Sequence, residues 1–223
     1  FFIWPAGQAI HQSFLLEDAF GLSSQFVWFR NYVDTIGDAA WLQAAWFTTI
    51  FSALVTFLSL GIALLLAVKA NEVIRGASTY KTTLMWAYAI APPVAGLMGN
   101  LMFHPLIGDL YKFFNAIGWD FNHKLDSFDA GFVVVLIAVW KQVSVNFIFF
   151  LSGLQGISKA VNEAALMDCK SPTRRFWTIT FPLLAPTTFF LMVINITYAF
   201  FETFGIIDTT TGGAPGGSTN TLV

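Results

Sequence analysis

From Ala44 to Val68 the chain carries no charged side chain and few polar ones. At about 25 residues this stretch is long enough to cross a hydrocarbon core of about 30 Å as a helix. Thr82 to Phe103 forms a second apolar stretch, interrupted by Pro92-Pro93. Proline inside a membrane helix leaves backbone carbonyls that another group must satisfy, so a kink or re-entrant bend is predicted there. Gly131 to Ser152 is a third stretch and Leu183 to Ile207 a fourth, each with a single charged side chain, Lys141 and Glu202. The pattern therefore predicts one all-α, polytopic membrane domain over 1–223, with spans at about 44–68, 82–103, 131–152 and 183–207. Residues 1–5, Phe1-Phe2-Ile3-Trp4-Pro5, read as the end of a truncated first span, and the stretch Thr219 to Val223 is equally abrupt. Both suggest a fragment lacking terminal spans.

The segments between these stretches differ in charge, which sets orientation because Lys- and Arg-rich loops stay cytoplasmic. Lys69, Arg75 and Lys81 follow the first stretch, and Lys159, Lys170, Arg174 and Arg175 lie in 153–182. Both segments are expected on the cytoplasmic side. Glu17, Asp18, Asp34 and Asp38 outnumber Arg30 in one remaining segment, and Asp109, Asp120, Asp126 and Asp129 outnumber Lys112 and Lys124 in the other. These acidic segments are expected to face outward.

Composition agrees with a membrane domain. The 223 residues are 56% hydrophobic and 11% charged, where a soluble domain carries about a quarter charged residues. A net charge of −2 gives no basic surface for nucleic acid. One cysteine, Cys169, excludes an internal disulfide, and no Cys/His group has metal-ligand spacing.

The cytoplasmic loop 153–182 is about 30 residues, where a short polar turn would join two spans. Ser158 to Asp168 places Ala160, Ala164 and Met167 on one helical face with Glu163 and Asp168 supplying charge, a shape suited to entering a groove. Ser171-Pro172 then reads as an N-cap followed by proline at the first helical position. The loop is predicted to be a helix, a turn and a second helix.

Glu163-Ala164-Ala165-Leu166-Met167-Asp168-Cys169, followed by Pro172, Arg174-Arg175-Phe176, Ile179 and Phe181-Pro182, resembles the EAA loop of binding-protein-dependent ABC importer permeases. The family pattern has Gly where Cys169 stands and Leu-Pro where Phe181-Pro182 stands. If that turn requires a positive φ, Cys169 would be strained by about 1 to 2 kcal/mol. The resemblance extends over nearly the whole chain to the maltose-type group, and within it to the branch that imports sn-glycerol-3-phosphate. It is carried by Phe2 to Gly7, Ser23 to Val27, Arg75-Gly76, Ala91-Pro92, Trp140-Lys141-Gln142 with Ser144 and Asn146-Phe147, and Ala199 to Phe201 with Thr203-Phe204. Gly213, Pro215, Thr219, Thr221 and Leu222 resemble an outer loop of the wider group, with Ala214 at a usual Gly position.

What this resemblance implies is the type I permease fold in a bacterial inner membrane. It also implies a second homologous permease, two ATPase subunits that bind ATP and Mg, a periplasmic solute-binding protein, and no cofactor in this chain. The chain has no phosphate-binding Gly-x-x-x-x-Gly-Lys loop, which fits ATP hydrolysis on another subunit. The implied ATPase-coupling residues are Glu163, Ala164, Ala165, Asp168, Cys169, Pro172, Arg174, Arg175 and Pro182. The implied solute is sn-glycerol-3-phosphate, with sugars or oligosaccharides as the alternative.

Two polar groups inside the spans suit a solute path. Lys141 lies about ten residues into its span, about 15 Å deep at 1.5 Å per residue, where a charge costs on the order of 3 kcal/mol unless it meets a cavity or partner. An ammonium complements a phosphate ester, and Gln142, Ser144 and Asn146 add donors nearby. Asn195, Tyr198 and Glu202 recur at i, i+3 and i+7 on an otherwise apolar helix. The paired phenylalanines, among them Phe149-Phe150 and Phe189-Phe190, are expected to be lipid-facing or packing bulk, and His104 and His123 are assigned no chemistry. No catalytic residue is assigned. An intramembrane Ser-Lys hydrolase built on Ser144 and Lys141 lacks any accompanying motif, and a proton-coupled secondary transporter would not need a docking loop.

Overall fold

The computed structural model describes residues 2–18, 23–72, 77–169 and 171–222; Phe1, Arg75, Gly76, Lys170 and Val223, used above, lie outside them. The chain begins with α1 (Ile3–Ser13), a hairpin of β1 (Leu15–Glu17) and β2 (Ser24–Phe26), and α2 (Arg30–Gly37). The Phe2-to-Pro5 stretch is thus the first turn of an exposed helix, and the two three-residue strands are a local departure from the expected all-α class. Leu15 pairs with Phe26, and Phe14, Phe26, Phe29 and Tyr32 cluster beside the hairpin.

The body of the fold is a bundle around α7 (Ser127–Gly156), which packs against α3 (Ala39–Glu72), α4 (Ala77–Ala89), α5 (Pro92–Met102), α11 (Ala185–Phe201) and α12 (Phe204–Thr210). Both α3 and α7 are long and apolar enough to cross a bilayer as single helices. Asp126 caps α7 by accepting from the N–H groups of Phe128 and Asp129 at 2.8 and 3.1 Å, which satisfies donors that the first turn leaves orphaned. Val133, Val134, Ala138, Phe147 and Phe150 on α7 meet Phe51, Val55 and Ala63 of α3 in the buried core.

The second apolar stretch divides where the prolines stand. Ala91 is extended (φ −62°, ψ 142°), α4 ends at Ala89, and α5 starts with Pro92 at its first position. This is the geometry expected of a residue before proline, so 82–103 is two short helices rather than one kinked one. Leu183 to Ile207 also departs from a single span: α11 stops at Phe201, and α12 begins at Phe204 and lies against α5. Gly96 permits that contact, since a Cβ there would stand 2.7 Å from the Ile206 carbonyl oxygen. Thr209 Oγ1 donates to the Pro93 carbonyl at 3.0 Å and Thr210 Oγ1 to the Gly96 carbonyl at 3.2 Å.

Between α5 and α7 runs α6 (Asp109–Ala116), where Phe103, Phe114, Trp119 and Phe121 stack into an aromatic plug. The long loop after α7 forms α8 (Lys159–Asp168) and α9 (Pro172–Arg175); α9 continues through a π-helical turn (Phe176–Thr180) into α10 (Phe181–Leu183). The chain then bends by 69° into α11.

Candidate functional site

α8 is set apart from the bundle by two extended residues, Ile157 (ψ 125°) and Ser158 (ψ 145°). The Ser158 hydroxyl accepts from the Val161 N–H at 3.3 Å, an N-cap bond that the sequence reading did not single out. Of the whole helix only Ala165 is buried. Glu163, Ala164 and Asp168 are exposed, and Met167 and Leu166 are 87% and 56% exposed. Apolar side chains presented this way beside a carboxylate are what a partner groove requires.

After Asp168, Cys169 is extended, with φ −136° and ψ 104°. The anticipated positive φ is absent, and with it the strain: any residue adopts this backbone. Pro172 occupies the first position of α9 as expected, but the Ser171 side chain makes no capping bond. Arg174 is exposed and Arg175 half-buried. Pro182 is exposed within α10, just before buried Leu184 marks the elbow into α11. Gly153 holds α7 close to that elbow; a Cβ there would lie 3.0 Å from Leu184 Cδ2 and 3.2 Å from Thr187 Oγ1. The loop is thus tied mechanically to two bundle helices.

Within the bundle the six candidate path residues separate into two groups. Lys141 is buried on α7, and its Nζ lies 5.7 Å from the ring centroid of Tyr88 on α4, within cation–π range. Glu202, exposed at the C-cap of α11, acts electrostatically on both Lys141 and Tyr198. Lys141, Tyr198 and Glu202 therefore share one neighbourhood, and Gln142, next to Lys141 in the chain, is buried. The Tyr198 hydroxyl is buried without a hydrogen bond among the described residues. Tyr88 is exposed and was missed by sequence reasoning; its only signal was a tyrosine three residues before Ala91-Pro92.

Asn146 and Asn195 do something else. Asn195 Nδ2 donates to Asn146 Oδ1 at 2.8 Å and Asn146 Nδ2 to Asn195 Oδ1 at 3.0 Å. Ser59 on α3 completes the knot, donating to Asn195 Oδ1 at 2.8 Å and accepting from Asn146 Nδ2 at 3.1 Å. All three are fully buried. In this structure the polar groups of these two asparagines, expected to line a solute path, are used on each other and on Ser59, fastening α3, α7 and α11 together as interhelical amides do in a membrane.

In the segment before α7, His123 is buried with neither ring nitrogen hydrogen-bonded among the described residues, and it stacks on Phe121. It borders a polar cavity of about 340 Å³ with Lys124, Asp208 and Thr209. Burial first, then the charge of Lys124 and the nearby His104, hold its imidazole below the ordinary value, with Asp129 acting in the opposite sense.

Comparison with known proteins bears on these features together. Residues 59–221 match the family described as binding-protein-dependent transport system inner membrane component. The whole chain is 51% identical to the sn-glycerol-3-phosphate transport system permease protein of Brucella suis and 50% identical to that of Rhizobium meliloti, covering 76% of each. The fold is similar to that of a bacterial alginate ABC transporter crystallised with an alginate pentasaccharide-bound periplasmic protein. That match has a TM-score of 0.78 at 21% identity, over 99% of this chain and 74% of the other. With its bundle, its projecting α8 and this similarity along its full length, the chain belongs to the family of binding-protein-dependent transport system inner membrane components.

Proposed function

We propose that the chain is a permease subunit importing sn-glycerol-3-phosphate, with α8 as the helix that docks into a separate ATPase subunit. The observation that carries this reading is α8 itself, anchored by Ala165 alone and offering Glu163, Leu166 and Met167 away from its own chain. Asp168, Cys169 and Pro172 shape the turn behind it, and Arg174, Arg175 and Pro182 carry its movement toward the elbow at Leu184. A rigid-body displacement of α8 thereby reaches α7 and α11. ATP and Mg belong to the ATPase subunits, two copies beneath a pair of homologous permeases, and this chain needs no cofactor. A periplasmic binding protein delivers the solute to the outer face.

The chain crosses the inner membrane four times, twice as single helices (α3 and α7) and twice as broken ones, α4 with α5 and α11 with α12. For the solute, Lys141 supplies the cation that a phosphate ester needs, with Gln142 beside it and Tyr88 and Tyr198 around it. Glu202, near the outer end, balances Lys141 while the site is empty. The relatives of about half identity that transport sn-glycerol-3-phosphate support this choice.

The test is ATP hydrolysis by the full-length complex in proteoliposomes with its binding protein, comparing glycerol-3-phosphate, glycerophosphodiesters and maltose. Stimulation by glycerol-3-phosphate is expected. Stimulation by maltose alone would keep the importer and remove the phosphate role of Lys141.

A further inference from the structure

Where the end of α3, the end of α7 and the segment after α8 meet, they enclose a cavity of about 450 Å³. Its polar lining includes Lys69, Arg175, Asn71 and Asn162, and among the described residues no acidic side chain lines it. Its apolar side includes Leu65 and Trp177, which are 70% and 58% exposed. Leu65 and Lys69 are one turn apart on the same face of α3, so the apolar wall lies about 6 Å nearer the bilayer centre than the ammonium. A tryptophan at this level is the usual marker of a membrane–water boundary.

We infer that this cavity binds an anionic phospholipid of the cytoplasmic leaflet, its phosphate held by Lys69 and Arg175 and its upper acyl chain laid along Leu65 and Trp177. The division of the lining selects the ligand. A free phosphate would use the two cations and the asparagine amides and would have no use for an exposed apolar wall, whereas a phospholipid fills both halves. Basic pockets between helices on the cytoplasmic side are where lipid head groups bind. Because Arg175 and Trp177 belong to the segment linking α8 to α11, a bound lipid would brace the coupling loop against α3. The inference rests on the orientation given above and holds whatever the solute is.

The test uses the full-length complex released from nanodiscs of phosphatidylcholine, with or without phosphatidylglycerol, and native mass spectrometry of the lipid it retains. The intact complex is expected to retain phosphatidylglycerol in preference to phosphatidylcholine. Each neutralised cation should weaken retention about 5-fold, so Lys69→Gln with Arg175→Gln should weaken it about 25-fold. Lys69→Arg with Arg175→Lys, which keeps both charges, should retain the lipid. Equal retention of the two lipids by the unaltered complex would overturn the inference without recourse to any variant. So would undiminished retention by the assembled double Gln variant, and displacement of the lipid by millimolar inorganic phosphate would reassign the cavity to a free anion.

Discussion

Lys141 is the one cation well inside the third apolar stretch, and its ammonium rests against Tyr88 rather than in lipid. A charged hydrogen bond to a phosphate oxygen is worth about 1.5 to 3 kcal/mol. Lys141→Gln is therefore expected to raise the KM for glycerol-3-phosphate uptake about tenfold or more, and Lys141→Arg to recover most of it; an unchanged KM in the Gln variant would take Lys141 out of the path. His123 carries a pH dependence. Its folded imidazole is held below the ordinary 6.5, so on acidification the unfolded chain takes up the proton first. Stability is complete above about pH 6.5, falls as pH drops from there toward the folded value, and then levels off. Thermal midpoints between about pH 7.5 and pH 5 should show this loss, and His123→Gln should flatten it. A lone histidine in an acidic loop gave no sequence signal for any of this, because its burial depends on Phe121 and on a cavity shared with α12, far along the chain.

Between elements, the Ser59–Asn146–Asn195 knot fastens three helices from positions far apart in the chain. Periodicity marked Asn195, and spacing from Lys141 marked Asn146, but a polar group in a membrane helix looks the same in sequence whether it faces a cavity or another amide. Asn146→Ala leaves Asn195 without its main side-chain partner and is expected to destabilise the detergent-solubilised complex by about 0.6 to 1.7 kcal/mol. In a double-mutant cycle with Asn195→Ala the two losses should be less than additive, and full additivity would mean the amides do not interact. The Ala91-Pro92 break was legible because proline dictates it locally. The break after Phe201 was not, because it depends on α12 finding Gly96 of α5. At Cys169 the extended backbone predicts that Cys169→Gly costs about 0.5 to 1 kcal/mol through added chain entropy. A stabilising effect in thermal unfolding would instead reveal strain at that turn.

For the whole molecule, apolar run lengths located α3 and α7, and the ordered Glu163-to-Pro182 pattern fell on the segment that folds as α8, α9 and α10. The bend of 69° at Leu184 lies where Leu184 approaches Gly153, between Pro182 and Pro186, and neither it nor the π-helical turn before it was predicted. These features make α8 a lever: exposed along its length except at Ala165, joined through α9, α10 and their π turn to α11, and through Ile157-Ser158 to α7. The central claim is that this lever transmits ATPase closure to the bundle, and Glu163 is its charged contact. The most direct measurement is solute-stimulated ATP hydrolysis by the full-length complex carrying Glu163→Lys, reconstituted with its binding protein. The account predicts that the stimulation is lost, with the ATPase subunit bound weakly or hydrolysing ATP without regard to solute. Stimulation equal to that of the unaltered complex would contradict it.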